Sequence, residues 1–130
     1  MKNKYEIRGN TAVIILEKKN KQYKTIIDLD DLDRAMELPG YWTYYHSKHT
    51  KSKYVVGWAK PYKDREKGMC VALARFLYDD IPDGMVVDHI NHDTLDNRRS
   101  INLRVVTETV NRNNRKTKQR KGSRKIKQAN

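Results

Sequence analysis

The sequence is poor in cysteine and in long apolar runs, and each shortage excludes a class of protein. Its single cysteine, Cys70, excludes an internal disulfide and a four-cysteine zinc knot. One cysteine suits a reducing compartment, so we expect a cytoplasmic protein without a structural zinc. No apolar run approaches the roughly 18 residues of a membrane span. The start, MKNKYEIRGN, has no apolar signal-peptide region, and we expect neither a membrane partner nor a secretory signal.

Acidic residues are missing from the C-terminal end. The chain has 28 Lys/Arg against 16 Asp/Glu and a formal net charge of +12. Residues 112–130 carry nine of the basic residues and none of the acidic ones. A basic arm of this kind is typical of proteins that bind a polyanion. The alternative interpretation is a tail that only interacts with water.

The apolar pattern predicts short strands, short helices and a mixed α+β fold. A helix is predicted around Leu32, Ala35 and Met36, with Asp28 or Asp30 as its cap. Thr107 is the predicted N-cap of a last helix that begins at Glu108. Met69 to Asp79 is predicted to pass from strand to helix. The other strands are predicted at Tyr5–Ile7, Thr11–Leu16, Tyr23–Ile27, Tyr41–His46, Lys53–Lys60, Met85–His89 and Asn102–Val106.

The stretch VDHINHDTLDNRR, residues 87–99, places Asp88 and His89 at the end of a strand. The loop Ile90–Ile101 is too long for a tight hairpin, and its Asn and Asp side chains can hold it in shape. The helix after the second strand must pack back on the hairpin. That packing would carry Asn111 over the first strand, near Asp88.

These residue types suit phosphodiester hydrolysis. Asp88 and Asn111 offer the oxygen ligands that a hard divalent cation prefers, with Mg²⁺ expected and Mn²⁺ or other divalent ions as substitutes. His89 is the candidate general base, because an imidazole can be neutral and basic near physiological pH. Asn102, at the start of the second strand, can brace the loop and orient His89.

The segment VDHINHDTLDNRRSINLRVVTETVNRNNR resembles the ββα-metal core of HNH endonucleases of the phage and intron-encoded homing type. The resemblance implies that Asp88 is the first metal ligand and His89 the general base. It also implies that Asn102 is the middle Asn and Asn111 the final metal ligand. The loop is one residue longer than the family's usual spacing, with Ser100 or Ile101 as the insertion.

This resemblance completes the predicted organisation. Residues 1–80 form a small β-rich module with short helices that is a candidate DNA-contacting unit, 81–115 form the HNH core, and 116–130 form a flexible basic tail. The predicted partner is double-stranded DNA, bound by a monomer or weak homodimer. The candidate nucleic-acid contacts are Arg98, Arg104, Arg112, Arg115, Lys116, Lys118, Arg120 and Lys121. One site should nick one strand.

Each residue also has a plainer interpretation. Asn113 and Asn114 compete with Asn111 as the helical Asn near Asp88, and Arg98 can pair with Asp96 or Asp93 instead of phosphate. His46 and His49 lie in a polar turn without a third ligand. Two rival functions remain: a non-catalytic DNA- or RNA-binding module on the same scaffold, and a basic structural protein of a nucleoprotein particle.

Overall fold

Eight strands form three small antiparallel sheets in the computed structural model, which describes residues 1–48, 51–59 and 68–114. Helix α3 covers residues 108–114. The first sheet contains β1 (Tyr5–Arg8), β2 (Thr11–Lys18) and β3 (Lys21–Asp28), and the second contains β4 (Thr43–His46), β5 (Lys53–Ala59) and β6 (Met69–Ala72). The third sheet contains β7 (Met85–His89) and β8 (Leu103–Thr107). A 3-10 turn (Leu29–Asp31) and α1 (Leu32–Met36) follow β3, and α2 (Leu73–Phe76) follows β6. The predicted mixed α+β class is confirmed.

The first sheet follows directly from the apolar alternation of β2. Ala12, Ile14 and Leu16 are fully buried, because side chains two positions apart share one face of a strand. Gly9 has a φ of 59° in the turn between β1 and β2, a conformation that glycine adopts without a steric penalty. The strands predicted at Tyr5–Ile7 and Thr11–Leu16 therefore pair as a hairpin around the Gly9-Asn10 turn.

Trp42 joins the second sheet to the two short helices. It is 1% exposed, its indole donates to the Ala35 carbonyl at 3.1 Å, and its ring packs edge-on against Phe76 at 5.2 Å. Gly57 on β5 leaves room for it: a Cβ there would lie 2.6 Å from a Leu38 methyl and 2.9 Å from the Trp42 ring. A glycine is required where the sheet approaches the core so closely.

The predicted helix caps have different outcomes. The Thr107 hydroxyl accepts a hydrogen bond from the Val110 amide at 3.3 Å, so the predicted cap of α3 is confirmed. The prediction that Asp28 or Asp30 caps the helix at Leu32–Met36 is wrong: Asp31 is at the N-cap position of α1 and Asp28 at that of the preceding 3-10 turn, and neither makes a side-chain cap hydrogen bond. The Asp28 carboxylate instead accepts bonds from the amide and hydroxyl of Ser100 at 2.9 and 2.7 Å.

The loop between β7 and β8 is attached to the first sheet. The Ile26 amide donates to the Leu95 carbonyl at 3.0 Å, and the Asn97 amide donates to the Ile26 carbonyl at 2.8 Å. Leu103 belongs to the same buried cluster as Ala12. The boundary predicted between residues 80 and 81 stays a prediction, but the two segments share one core. Within the described part of the chain, no helix is long and apolar enough to cross a membrane.

Candidate nuclease site

Asp88 lies near the end of β7 with 5% of its surface exposed. Arg104 faces it in register on β8, and the Arg104 Nε donates to Asp88 Oδ2 at 3.0 Å. The Asn114 side-chain amide donates to the same oxygen at 2.9 Å. Helix α3 therefore returns to β7, as the sequence predicted, and holds a buried carboxylate between an amide and a guanidinium.

Asn114, rather than Asn111, makes the hydrogen bond to Asp88. The two asparagines are three positions apart on α3 and so lie on neighbouring parts of one helix face. Asn111 lines the cleft that also contains Asp88 and His89. The structure thus places both asparagines at the site: Asn114 beside the carboxylate and Asn111 facing the cleft.

His89 is held by Asn97, a residue that was not singled out from the sequence. The imidazole Nε2 lies 2.9 Å from Asn97 Oδ1, and Asn97 is 1% exposed. The Asn97 Nδ2 donates to Thr25 Oγ1 at 2.8 Å and to the Thr94 carbonyl at 3.1 Å. These two bonds orient the amide so that its oxygen faces His89. Nε2 must then be the protonated nitrogen, which leaves Nδ1 as the basic atom.

Asn102 braces the loop, as the sequence predicted. Its Oδ1 accepts from the Asn91 amide at 2.9 Å, and its Nδ2 donates to the Asp96 carbonyl at 2.8 Å. Its own carbonyl accepts from the Ile90 amide at 2.8 Å, next to His89. The extra loop residue does not disturb the hydrogen bonds of Asn102, because Ile101 is accommodated at the surface with 60% of its area exposed. Asn102 is a positioning residue on this geometry, since its bonds are to the backbone of the loop.

A cleft of about 870 Å³ opens beside these residues. Asp88, His89 and Asn111 line it, together with Lys53, Tyr54 and Arg75 from β5 and α2. Asp88 and His89 are neighbours on a strand, yet both line this cleft. The cleft therefore combines a carboxylate, an oriented imidazole and an amide with basic and aromatic side chains.

Residues 77–113 match the family model described as HNH endonuclease. This segment is similar to the HNH endonuclease family. The match contains Asp88, His89, Asn102 and Asn111 and confirms the resemblance seen in the sequence, while the homing subtype stays a prediction. No curated protein and no solved structure matches the chain significantly. The match to this family indicates a nuclease.

Arg98 and Arg104, two of the arginines predicted to contact phosphate, both pair with carboxylates. Arg98 donates to both oxygens of Asp96, each at 2.8 Å, which was the plainer interpretation of this residue. These bonds lower the pKa of Asp96 from its ordinary value against the opposing effect of burial. Arg104 pairs with Asp88. Phosphate contacts by Arg98 and Arg104 therefore stay predictions. To bind phosphate, each arginine would have to share its guanidinium between the carboxylate and the phosphate or leave the carboxylate.

A second ion pair, not anticipated from the sequence, ties the HNH loop to the N-terminal part. The Arg99 guanidinium donates to the Asp31 carboxylate, whose side chain is 3% exposed, and its centre lies 5.1 Å from the Tyr78 ring centroid. Burial raises the pKa of Tyr78 in this contact. With the Asp28–Ser100 bonds, this pair fastens the far end of the loop. The sequence DLDDLD, residues 28–33, shows that carboxylates are present here, but it does not indicate which residues they bind.

The remaining predicted residues lie apart from this cleft or outside the described ranges. Arg112 is exposed on α3, and His46 is exposed on β4. The predicted contacts Arg115, Lys116, Lys118, Arg120 and Lys121, and also His49, lie outside the described residues. Among the described side chains, no group of three or more His, Cys, Asp or Glu could hold a metal ion. A metal in this HNH segment would therefore need amide oxygens and water beside its carboxylate.

Proposed function

We propose that the protein is a divalent-metal-dependent HNH endonuclease that hydrolyses phosphodiesters of double-stranded DNA. The observation that carries this proposal is the fixed imidazole of His89, anchored through Nε2 on Asn97, beside the buried carboxylate of Asp88 in one cleft. A histidine with a defined basic nitrogen is suited to activate water. The match to the HNH endonuclease family supports the same chemistry.

His89 is the general base of the proposed reaction. Its Nδ1 takes one proton from a water molecule, and the water oxygen forms a bond to phosphorus. The bond from phosphorus to the 3′ oxygen breaks, and that oxygen leaves with the electron pair and takes a proton from solvent. The products are a 5′-phosphate and a 3′-hydroxyl. Asn97 Oδ1 stabilises the imidazolium, since it accepts a hydrogen bond from the Nε2–H group in both charge states of the ring.

The donor set fits a hard cation such as Mg²⁺, with Mn²⁺ as a substitute. Asp88 supplies a charged oxygen and Asn111 a neutral amide oxygen, and Mg²⁺ commonly takes one or two protein carboxylates and keeps several waters. When bound, the metal stabilises negative charge on the phosphate and the departing oxygen. Asn114 positions Asp88, because it donates to Oδ2 of the carboxylate. Asp88 and Asn111 would hold the ion.

The charge of the protein supports DNA as the substrate. Lys53 and Arg75 line the same cleft as Asp88 and His89, and the whole chain carries a net charge of +12. Basic side chains around a cleft attract the phosphate backbone. One such site cuts one strand, so a monomer of the homing type would release nicked DNA, and cutting both strands would need a homodimer or a second visit. Its expected location is the cytoplasm of the cell that expresses it.

One observation favours a second candidate, a non-catalytic DNA- or RNA-binding module on the HNH scaffold. Asp88 forms an ion pair with Arg104 at 3.0 Å, and a guanidinium at this carboxylate takes the place of a cation in neutralising it. A structural protein of a nucleoprotein particle would use the same pair. Metal-dependent cleavage distinguishes the enzyme from both alternatives.

The test is cleavage of a pool of supercoiled plasmids with random inserts, in Mg²⁺, Mn²⁺ or EDTA. The parent protein should produce nicked circles with either metal and none in EDTA. His89→Ala should abolish nicking while its affinity for duplex DNA stays within a few-fold of the parent. Plasmids that stay intact with both metals, or a His89→Ala variant that still nicks, would contradict the assignment.

A further inference from the structure

A second concavity, of about 410 Å³, lies on the N-terminal sheets, away from Asp88 and His89. We call it the basic groove, defined by Lys18, Lys19, Lys21, His46 and Lys53. Lys18, Lys19 and Lys21 come from the end of β2 and the turn into β3, while His46 and Lys53 come from the paired strands β4 and β5. None of its described lining residues is an Asp or Glu.

The groove concentrates like charges that the fold itself does not neutralise. Lys18 and Lys21 are direct partners in the β2–β3 register, and Lys53 is the partner of His46 in the β4–β5 register. Like charges directly opposite each other, as in the Lys18–Lys21 pair, destabilise a sheet. In the described part of the chain, no salt bridge connects these lysines to a carboxylate. Lys19 adds a third charge in the turn, at a φ of 53°.

The basic groove borders the nuclease cleft. Tyr44 and Lys53 line both concavities, so the two share a border. Tyr23 and Tyr44 meet there at 4.8 Å between ring centroids and are partly buried. Tyrosine hydroxyls and lysine amines are both common donors to phosphate oxygens. A strand in the cleft that continues past Lys53 would therefore pass over Tyr44 to Lys18 and Lys21.

We propose that the basic groove binds backbone phosphates of the DNA that enters the cleft, on the stretch next to the scissile phosphate. This inference rests on the proposed function, because it takes the nuclease substrate as its ligand. It assigns the N-terminal sheets a direct part in holding DNA. The phosphates supply the negative charge that the groove does not receive from the protein, and they fix the strand relative to His89.

The test compares two triple variants with equal loss of charge. Lys18→Gln/Lys21→Gln/Lys53→Gln changes the groove, and Lys2→Gln/Lys4→Gln/Lys24→Gln removes three exposed lysines that line neither concavity. Affinity for a fluorescent DNA duplex is measured by anisotropy between 50 and 300 mM salt, in EDTA so that the DNA is not cut. Each lost phosphate contact should reduce the slope of log affinity against log salt by about 0.9.

The groove variant should lose a slope of about 2 to 3 and bind at least about tenfold more weakly at low salt, while the control keeps most of the parent slope. Equal slopes in the two variants would overturn the inference, as would a parent protein with no affinity for duplex. Plasmid nicking is measured separately. If the parent nicks plasmid but the two variants have equal salt slopes, the nuclease assignment stands and the DNA-binding role of the basic groove is refuted. If the groove variant alone loses salt slope but no metal supports nicking, the nuclease assignment alone is refuted.

Discussion

The imidazole of His89 and the side-chain amide of Asn97 are joined by a contact of 2.9 Å between Nε2 and Oδ1. Asn97 is in turn held by Thr25, which lies 72 positions away in the chain. The strand β3 of the N-terminal sheet therefore determines which nitrogen of His89 is basic. This relation makes the N-terminal part a positioning element of the site, in addition to any contact with DNA.

Replacing Asn97 with a carboxylate should change the pH dependence of cleavage. In Asn97→Asp a negative charge replaces the neutral amide beside the imidazole and favours the cationic form of the ring. The acidic limb of the pH–rate profile should therefore move to higher pH. Asn97→Ala should instead lower kcat with little change in affinity for DNA. A profile for Asn97→Asp that coincides with that of the parent would contradict the role assigned to Asn97.

The two helical asparagines should respond differently to replacement. Asn111→Ala should weaken Mn²⁺ binding at least about tenfold, since a ligand is lost, and this is measurable by titration calorimetry without substrate. Asn114→Ala should leave more of the metal affinity but release the Asp88 carboxylate from α3 and lower the melting temperature. A larger loss of metal affinity in Asn114→Ala than in Asn111→Ala would move the ligand assignment to Asn114.

The Asp96–Arg98 pair should contribute stability that depends on pH. Because Arg98 lowers the pKa of Asp96 in the folded state, the contribution is complete above the ordinary carboxyl pKa of about 3.9. It is lost as pH falls through the lowered value. Asp96→Asn should cost about 1 to 3 kcal/mol at pH 7, and its difference from the parent should shrink in strong acid.

Urea unfolding between pH 2 and 7 measures this effect. Asp83→Asn is the control, since Asp83 lies exposed in the turn before β7 and its replacement should leave stability almost unchanged. A destabilisation of Asp96→Asn that is equally large at pH 2 and pH 7 would show that the carboxylate charge plays no part.

Gly57 and Gly40 provide a matched test of the packing around Trp42. Gly57→Ala should destabilise by about 1 to 3 kcal/mol, because its Cβ would lie 2.6 Å from Leu38 and 2.9 Å from Trp42. Gly40→Ala meets no atom within 4 Å and should be tolerated. Thermal unfolding of both variants measures the difference, and equal melting temperatures would show that the core adapts freely.

Local patterns were sufficient for most strands and for placing Asp88 and His89 at the end of one. The alternation in β2 predicted the strand because burial of one face requires apolar residues two positions apart. The cap at Thr107 was readable because an N-cap bonds an amide three residues later. Asp88 and His89 were recognised as a pair because their chemistry and their position at a strand end coincide. The family match to residues 77–113 agrees with that interpretation.

Only the tertiary structure decided which groups hold the site in place. The partners Thr25–Asn97, Asp31–Arg99 and Asp28–Ser100 lie 68 to 72 positions apart in the chain, and no local periodicity connects them. For the same reason the sequence predicts Asp28 or Asp30 as a helix cap, whereas the structure shows the carboxylates of Asp28 and Asp31 bound to the loop. The choice of Asn114 over Asn111 beside Asp88 depends on how α3 packs on β7. Local propensity cannot supply that placement, because it arises from packing between distant elements.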